Sequence, residues 1–328
     1  MKLNIFLVIL VFAVTAYILY TPYASSLEIA QYSGPVLSMN WWEGLNWMKA
    51  NIPECSVVAT YWDPGHFITG IAERPVVFDG ATQNTLWTKE IEGRLSEEEI
   101  KKIAVIDNYD TEYFEKDGKT YTRITTARIQ DISTSLFTDN ETLAINILRK
   151  YAFPDCNNSM YYIASGDLIG KSQWWTYFAT WKKENPDDAK GTKYFYTPVE
   201  LAQTKDMPSE NATVYVYPLS ADQSFLVYEK GGLMTAYFQQ GRDTVNIEQT
   251  FYFQGNYGFM QTAQTDDVIK GLLWISPDMG FVIFVPEELM NSMFTKMYLF
   301  NGQGLEHFSI VQNFGGEVKL FKVDLSGE

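Results

Sequence analysis

Within the run Tyr61-Trp62-Asp63-Pro64-Gly65-His66, two aromatics, a carboxylate and an imidazole fall close together. A carboxylate beside an indole can accept a hydrogen bond from a ligand hydroxyl, a charge-assisted contact worth about 1.5–3 kcal/mol. Asp63 and His66 are three apart and could share a helix face as metal ligands; with Asp79 they would be the raw material of a hydrolase. A second constellation is Ser165-Gly166-Asp167-Leu168-Ile169-Gly170-Lys171, in which Asp167 and Lys171 lie one helical turn apart. That pair either faces a ligand or is a plain exposed ion pair worth about 0.2–0.5 kcal/mol. No His/Asp/Glu cluster has metal-ligand spacing, and there is no Gly-x-Ser-x-Gly, phosphate loop or Rossmann fingerprint.

Both constellations need an element that delivers them to an edge. Val57 to Ala59 reads as a short buried strand that Pro64-Gly65 stops, His66 to Ala72 as two helical turns, and Pro75 to Phe78 as a resumed extended path. This β-α-β unit leaves Trp62 and Asp63 at the carboxyl end of its strand, where open α/β sheets bind ligands. The alternative is that Asp63 caps the short helix and Trp62 packs beneath it. Met160 to Ala164 is a second core strand, running into a helix with Trp174, Trp175, Phe178 and Trp181, so Asp167 and Lys171 occupy the same kind of strand-end position.

Around this core the sequence predicts an amphipathic helix over Ser38 to Lys49 and a capping box at Ser96-Glu97-Glu98-Glu99 that opens a helix to about Val105. A hairpin over Tyr109 to Ile129 turns at 116–119, and a second capping box at Thr138 to Glu141 starts a helix that Pro154 closes off. Beyond Asn185-Pro186-Asp187-Asp188 the chain becomes strand-rich from Thr213 onward. One helix, begun by Pro286-Glu287-Glu288 and carrying Leu289, Met293, Phe294 and Met297, interrupts it before a last hairpin to Val323. The expected fold class is α+β, a mixed α/β core with a β-rich second lobe, preceded by one transmembrane helix. The expected domains are 1–27 for that helix, 28–190 for the core and 191–328 for the β-rich peripheral domain.

The transmembrane expectation, to which a cleaved signal peptide is the alternative, rests on Leu3 to Leu27, which carries no charge; a bilayer crossing needs about 20 apolar residues, and the run exceeds a signal peptide's usual apolar stretch of about 7–15. Lys2 alone flanks the run, which places the amino terminus in the cytoplasm and the bulk of the chain outside a cell membrane it crosses once. The net charge of −15 argues against nucleic acid as a partner. Cys55 and Cys156 either form one disulfide or are two small buried hydrophobes. Sequons at Asn140, Asn157 and Asn211 are compatible with an external location.

Several of these stretches carry a family resemblance. Trp42-Glu43-Gly44-Leu45-Asn46-Trp47, Asn51-Ile52-Pro53-Glu54, the Tyr61 to His66 run, Arg74 to Asn84 and the tail Met297 to Phe308 together resemble the extracytoplasmic C-terminal region of the archaeal oligosaccharyltransferase catalytic subunit, a dolichyl-phosphooligosaccharide-protein glycotransferase. The family hallmark is a Trp-Trp-Asp-Tyr-Gly run. Trp62, Asp63 and Gly65 match it, whereas Tyr61 stands where the family has its first Trp and Pro64 where it has Tyr.

The resemblance implies a pocket for the hydroxylated residue of an Asn-X-Ser/Thr acceptor at Tyr61, Trp62, Asp63 and Gly65. It also implies that Asp167 and Lys171 stand for the family's second motif, an Asp and a Lys followed by Met or Ile. Here the interval is one residue longer, and Trp174 or Trp175 falls in the region of the Met/Ile. In the family a divalent cation, manganese or magnesium, and the acids that hold it belong to a many-helix membrane region that this sequence lacks. The chain is therefore expected to have no catalytic residue and no cofactor of its own, and to be a glycosyltransferase part that is not competent alone. Its expected partners are the acceptor polypeptide, a multi-helix membrane catalytic partner and, indirectly, the lipid-linked oligosaccharide. The alternative is a stand-alone membrane-tethered surface binding protein.

Overall fold

The computed structural model describes residues 5–32, 37–82, 85–185 and 194–326, with the side chains of 5–9 and 28–32 outside the description. It divides into two units, Met1–Trp42 and Glu43–Glu328. The first contains α1 (Ile5–Tyr32), whose segment Leu10–Leu27 is long and apolar enough to cross a membrane. At 1.5 Å per residue the 28 residues of α1 span more than the roughly 30 Å hydrocarbon core. The expected lobe boundary at 190/191 falls outside the described residues, as do Gln83 and Asn84 of the resembling stretch.

From Glu43 the chain completes α2 (Met39–Asn51), which buries Leu45 and Met48. Its carboxyl end is closed by the buried Arg74, whose guanidinium donates to the carbonyls of Lys49 at 2.7 Å and Ile52 at 2.7 and 3.2 Å. A cation there satisfies orphan carbonyls and opposes the negative end of the helix dipole. Next come β1 (Val57–Ala59), α3 (Trp62–Phe67) and a π-helical turn, Ile68–Ala72. Val76 then bridges Val58 in parallel, as the β-α-β reading required. The helix starts earlier than expected: Trp62 and Asp63 lie in its first turn, not before it. Pro64 is tolerated there because a first-turn N–H has no helical acceptor anyway.

An inserted sheet follows, in the order β2-β4-β3, made of β2 (Leu86–Glu92), β3 (Tyr109–Lys116) and β4 (Lys119–Ala127), with α4 (Glu97–Ala104) packed on it. Both halves of the Ser96/Glu99 capping box are present. The expected extended run to Ile129 instead turns at Arg128 into α5 (Arg128–Phe137), a helix whose amino terminus lacks a side-chain cap. Asn140, not Thr138, then caps α6 (Glu141–Arg149), accepting from Leu143 N at 3.0 Å.

The element that organises the unit is a four-stranded sheet of β1, β5 (Met160–Ser165), β16 (Val318–Val323) and β15 (Phe308–Phe314), in that order, with β5 parallel to β1 and every residue of those two strands buried. After β5 comes α7 (Asp167–Thr180). A larger sheet holds β6 (Thr197–Glu200), β7 (Gln203–Met207), β8 (Ala212–Pro218), β9 (Gln223–Lys230), β10 (Leu233–Gln240), β11 (Asp243–Gln254), β12 (Tyr257–Thr262), β13 (Val268–Ile275) and β14 (Phe281–Pro286). The helix expected after Pro286 is instead a 3-10 turn, Glu287–Leu289, and a π-helical turn, Thr295–Leu299; its apolar stripe is buried all the same. The closing hairpin, β15 (Phe308–Phe314) and β16 (Val318–Val323), does not join the larger sheet but pairs antiparallel with β5. One hydrophobic cluster accordingly takes in Tyr162 from β5, Phe321 from β16, and Phe251 and Trp274 from the larger sheet.

Candidate functional site

The carboxyl ends of β1 and β5 are adjacent because the two strands are parallel and in register, Ala59 opposite Tyr162. The residues that follow them, Tyr61 to Gly65 and Ser165 to Lys171, therefore meet. The Asp63 carboxylate is held on both oxygens: Oδ1 accepts from the Trp62 indole Nε1 at 2.7 Å, and Oδ2 from Lys171 Nζ at 2.9 Å. Lys171 also donates to Asp167 Oδ2 at 3.0 Å, one turn back on α7. The side chains of Asp63, Lys171 and Asp167 are each about 40% open to solvent, at 41%, 42% and 40%. All six residues expected at the site are thus brought together.

They do not all face outward. Tyr61 is buried under the site, with its hydroxyl donating to Asp167 Oδ2 and lying 3.2 Å from Ser165 Oγ. Ser165 in turn donates to Asp167 Oδ1 at 2.7 Å. Burial first, and the Asp167 charge second, push the Tyr61 hydroxyl far above the ordinary phenol range, so it remains a donor. For Lys171 burial works downward, but hydrogen bonds to Asp63 and Asp167 outweigh it and raise the ammonium above its usual value. Its Nζ also sits 5.3 Å from the Tyr61 ring centroid.

Trp175, not Trp174, is the structural indole of α7. It is buried and makes edge contacts with Tyr61, Trp62 and Phe78 at centroid distances of 5.7, 5.8 and 6.1 Å, whereas Trp174 is exposed. Gly65 is required by a close approach. A Cβ there would stand 2.7 Å from both the Phe78 carbonyl and the Asp79 Cβ, so α3 could not pack on the 78–79 backbone.

The alternative that Asp63 caps α3 does not hold, because no side-chain cap bond is made and Asp63 sits inside the first turn. His66 turns away from Asp63's hydrogen-bond group to face Asp79, Nδ1 to Oδ2 at 3.9 Å. Asp79 is itself a turn residue, accepting from Ala81 N at 3.0 Å and Thr82 N at 2.9 Å. Burial tends to raise its carboxyl, but the Thr82 bonds and then His66 hold it below the ordinary range. Among the described residues no group of three or more His, Cys, Asp or Glu could hold a metal ion. Ser165 and Gly166 stood in the second constellation without a role of their own; the small-small step between a strand and a helix was their signal in the sequence.

Cys55 and Cys156 form a disulfide that joins the approach to β1 with that to β5, at the opposite end of the strand pair from the site. This settles the alternative left open by the sequence.

No protein-family model matches the chain. It is 24% identical over 330 residues to a dolichyl-phosphooligosaccharide-protein glycotransferase of Methanocaldococcus jannaschii, a match covering 88% of this chain and 35% of that protein. It is 40% identical over 67 residues to a protein of the same name from Methanococcus voltae, covering 20% of this chain and 7% of that one. The chain spans about a third of the length of the first of these relatives. Among solved structures, the C-terminal domain of C. jejuni pglb covers 87% of this chain and 99% of its own at 13% identity and a TM-score of 0.49. An Archaeoglobus fulgidus oligosaccharyltransferase tethered with an acceptor peptide containing the NVT sequon covers 96% of this chain and 28% of its own, at 14% identity and a TM-score of 0.44. The two glycotransferases bear out the resemblance read from the sequence.

Proposed function

We propose that the Glu43–Glu328 unit is the acceptor-recognition domain of an oligosaccharyltransferase, and that it holds the Ser or Thr of an Asn-X-Ser/Thr segment through Asp63. The observation that carries this reading is the state of the Asp63 carboxylate: fixed by one neutral and one charged donor, yet with 41% of its side chain open. An ionised carboxylate offers about four lone-pair sites. Trp62 and Lys171 occupy two of them, leaving capacity for an incoming hydroxyl whose position is set in advance. The Lys171 ammonium donates to Asp63, and Asp167, itself held by Ser165 and Tyr61, holds Lys171 in place. The half-buried Trp62 indole supplies an apolar wall for the methyl of Thr. Similarity to the Methanocaldococcus jannaschii glycotransferase along 88% of the chain supports the same assignment.

On this reading the acceptor polypeptide is the direct partner and the lipid-linked oligosaccharide an indirect one. The amide nitrogen is a poor nucleophile and the lipid pyrophosphate accumulates charge as it leaves, so transfer needs a cation and its acids. Those belong, in the family, to a multi-helix membrane region, which on this reading is a partner of the unit at the outer face of the membrane. The similarity to glycotransferases disfavours a stand-alone surface binder.

The test compares Asn-X-Thr, Asn-X-Ser and Asn-X-Ala peptides of matched sequence for crosslinking to the full chain. Thr should exceed Ser by roughly fourfold, the value of burying one methyl at about 0.8 kcal/mol. Ser should exceed Ala by about tenfold or more, and Asp63→Ala should erase that second gap. Equal capture of all three peptides, or an unchanged ranking in Asp63→Ala, would reduce the site to a structural turn.

A further inference from the structure

We infer that Tyr298 is a positioning residue for the Asp63–Lys171–Asp167 site, fixing the first turn of α7 from behind, and that Gly166 is glycine so that the Tyr298 hydroxyl can reach it. The inference deepens the reading above and rests on it for its consequence in acceptor choice. Gly166 is the residue before α7, with φ −66° and ψ −28°, a conformation open to any amino acid. Backbone freedom therefore does not explain the glycine. Space does: a Cβ on Gly166 would lie 2.3 Å from Tyr298 Oη and 3.1 Å from its Cζ, far inside van der Waals contact. The phenol end of Tyr298 is thus pressed against the backbone between Ser165 and Asp167, both of which bond within the site.

Tyr298 is itself held on several sides. It belongs to the π-helical turn Thr295–Leu299, and its ring lies parallel to that of Phe294, with centroids 5.4 Å apart and planes 3° from coplanar. The Lys319 ammonium sits 4.9 Å from the ring centroid and donates to the Tyr298 carbonyl and, at 2.7 Å, to Asn301 Oδ1. Lys319 comes from β16, which also supplies the backbone partner of β5. Gly166 N donates to Glu317 O at 2.9 Å, just before β16 begins. The strand end, the helix start and the Tyr298 turn are consequently tied to one another through β16. Burial, with Glu317 and Asp167 adding to it, pushes the Tyr298 hydroxyl up to about 12, which keeps it a protonated, uncharged wedge beside Asp167 at neutral pH. A shift of α7 away from this wedge would lengthen the Lys171 bonds to Asp63 before it disturbed the core beneath Trp175.

The experiment uses Tyr298→Phe, Gly166→Ala and the double variant in the full chain, with two readouts. The first, independent of any acceptor, is the titration midpoint of Lys171 followed by NMR on isotopically labelled lysine. It should fall in Tyr298→Phe and Gly166→Ala as the ammonium loosens from Asp63 and Asp167. The second is the Thr-over-Ala capture ratio of the matched peptides, which should drop by about fivefold in each single variant, the loss expected from weakening one hydrogen-bond network. Removing the phenol oxygen makes room for the Ala methyl, so the double variant should recover thermal stability relative to Gly166→Ala. A melting temperature that changes while both the Lys171 midpoint and the peptide ratio stay at wild-type values would overturn the inference, because Tyr298 would then be packing alone. If the midpoint moves but wild type itself shows no Thr-over-Ala preference, the positioning stands and the acceptor reading fails.

Discussion

Breaking the Cys55–Cys156 bond should cost much of the unit's stability and leave its ligand preference alone. The disulfide closes a loop of 101 residues. The chain-entropy relation gives about 4.7 kcal/mol for a loop of this size, and native disulfides generally contribute about 2–4. Unfolding entropy of about 2.1 cal/mol/K per residue gives roughly 0.6 kcal/mol/K for a unit the length of Glu43–Glu328. The expected fall in melting temperature is therefore about 3–8 °C. The bond ties the amino ends of β1 and β5, whereas Asp63 and Asp167 follow the carboxyl ends. Between them stands a parallel ladder buried throughout and backed by β16, which holds the register without the bond. The assay is thermal unfolding, followed by circular dichroism, of wild type with and without reductant and of Cys55→Ala/Cys156→Ala. The two perturbations should agree, and reductant should not move the double variant. Two results would refute the reasoning: no shift in either case, or a Thr/Ser/Ala ranking lost together with the bond while the chain remains folded.

Two further predictions concern buried charge. Asp131 is fully buried and accepts from Lys150 at 2.7 Å, Thr126 at 2.9 Å and the Tyr151 hydroxyl, so Lys150→Met should destabilise by about 3–5 kcal/mol by stranding the carboxylate; Asp131→Asn/Lys150→Met should recover part of that loss in denaturant melts, and a double variant no better than the single would refute the pair's role. Lys319 is buried over the Tyr298 ring, donating to the Tyr298 carbonyl and Asn301 Oδ1, and burial lowers its ammonium to about 8. Its folded value lies below its unfolded one, so the unfolded chain binds the extra proton between about pH 8 and 10.5 and stability from this group rises with pH across that window. The rise should disappear in Lys319→Met, as read from melting temperatures at pH 7.5, 8.5 and 9.5.

The core strands, the Ser96 capping box, the β3–β4 hairpin and the closing hairpin were all legible in the sequence, because each is written in local chemistry: short continuous apolar runs, a Ser-to-Glu interval of three, an Asp-Gly turn. What escaped was set by tertiary contact. Arg128 to Phe137 carries no capping residue, and neither β11, which pairs with three other strands, nor the largely exposed β12 shows a clean alternation of buried and exposed positions, so none of them announced itself. The stripe after Pro286 has helical spacing, yet Ser292 and Thr295 hydroxyls bond to each other and to the Tyr196 hydroxyl at 3.0 and 2.7 Å, and these buried bonds compete with the regular helical ladder. The site divides in the same way. Trp62, Asp63, Asp167 and Lys171 could be singled out because polar residues at the carboxyl ends of two buried strands have few structural duties there. Tyr61 belonged to the same run, but its orientation depends on Ser165 and Asp167, more than a hundred residues away. Its aromatic partner Trp175 is distinguished from Trp174 only by the face of α7 that meets the core. A one-residue difference on a helix rotates a side chain by about 100°, so spacing alone left two indoles as candidates where packing against Tyr61, Trp62 and Phe78 admits one. The arrangement that gives Asp63 its chemistry is thus a property of the β1–β5 register: a slip of one position would turn Tyr61 outward, unseat its bond to Asp167 and carry Lys171 out of reach of Asp63.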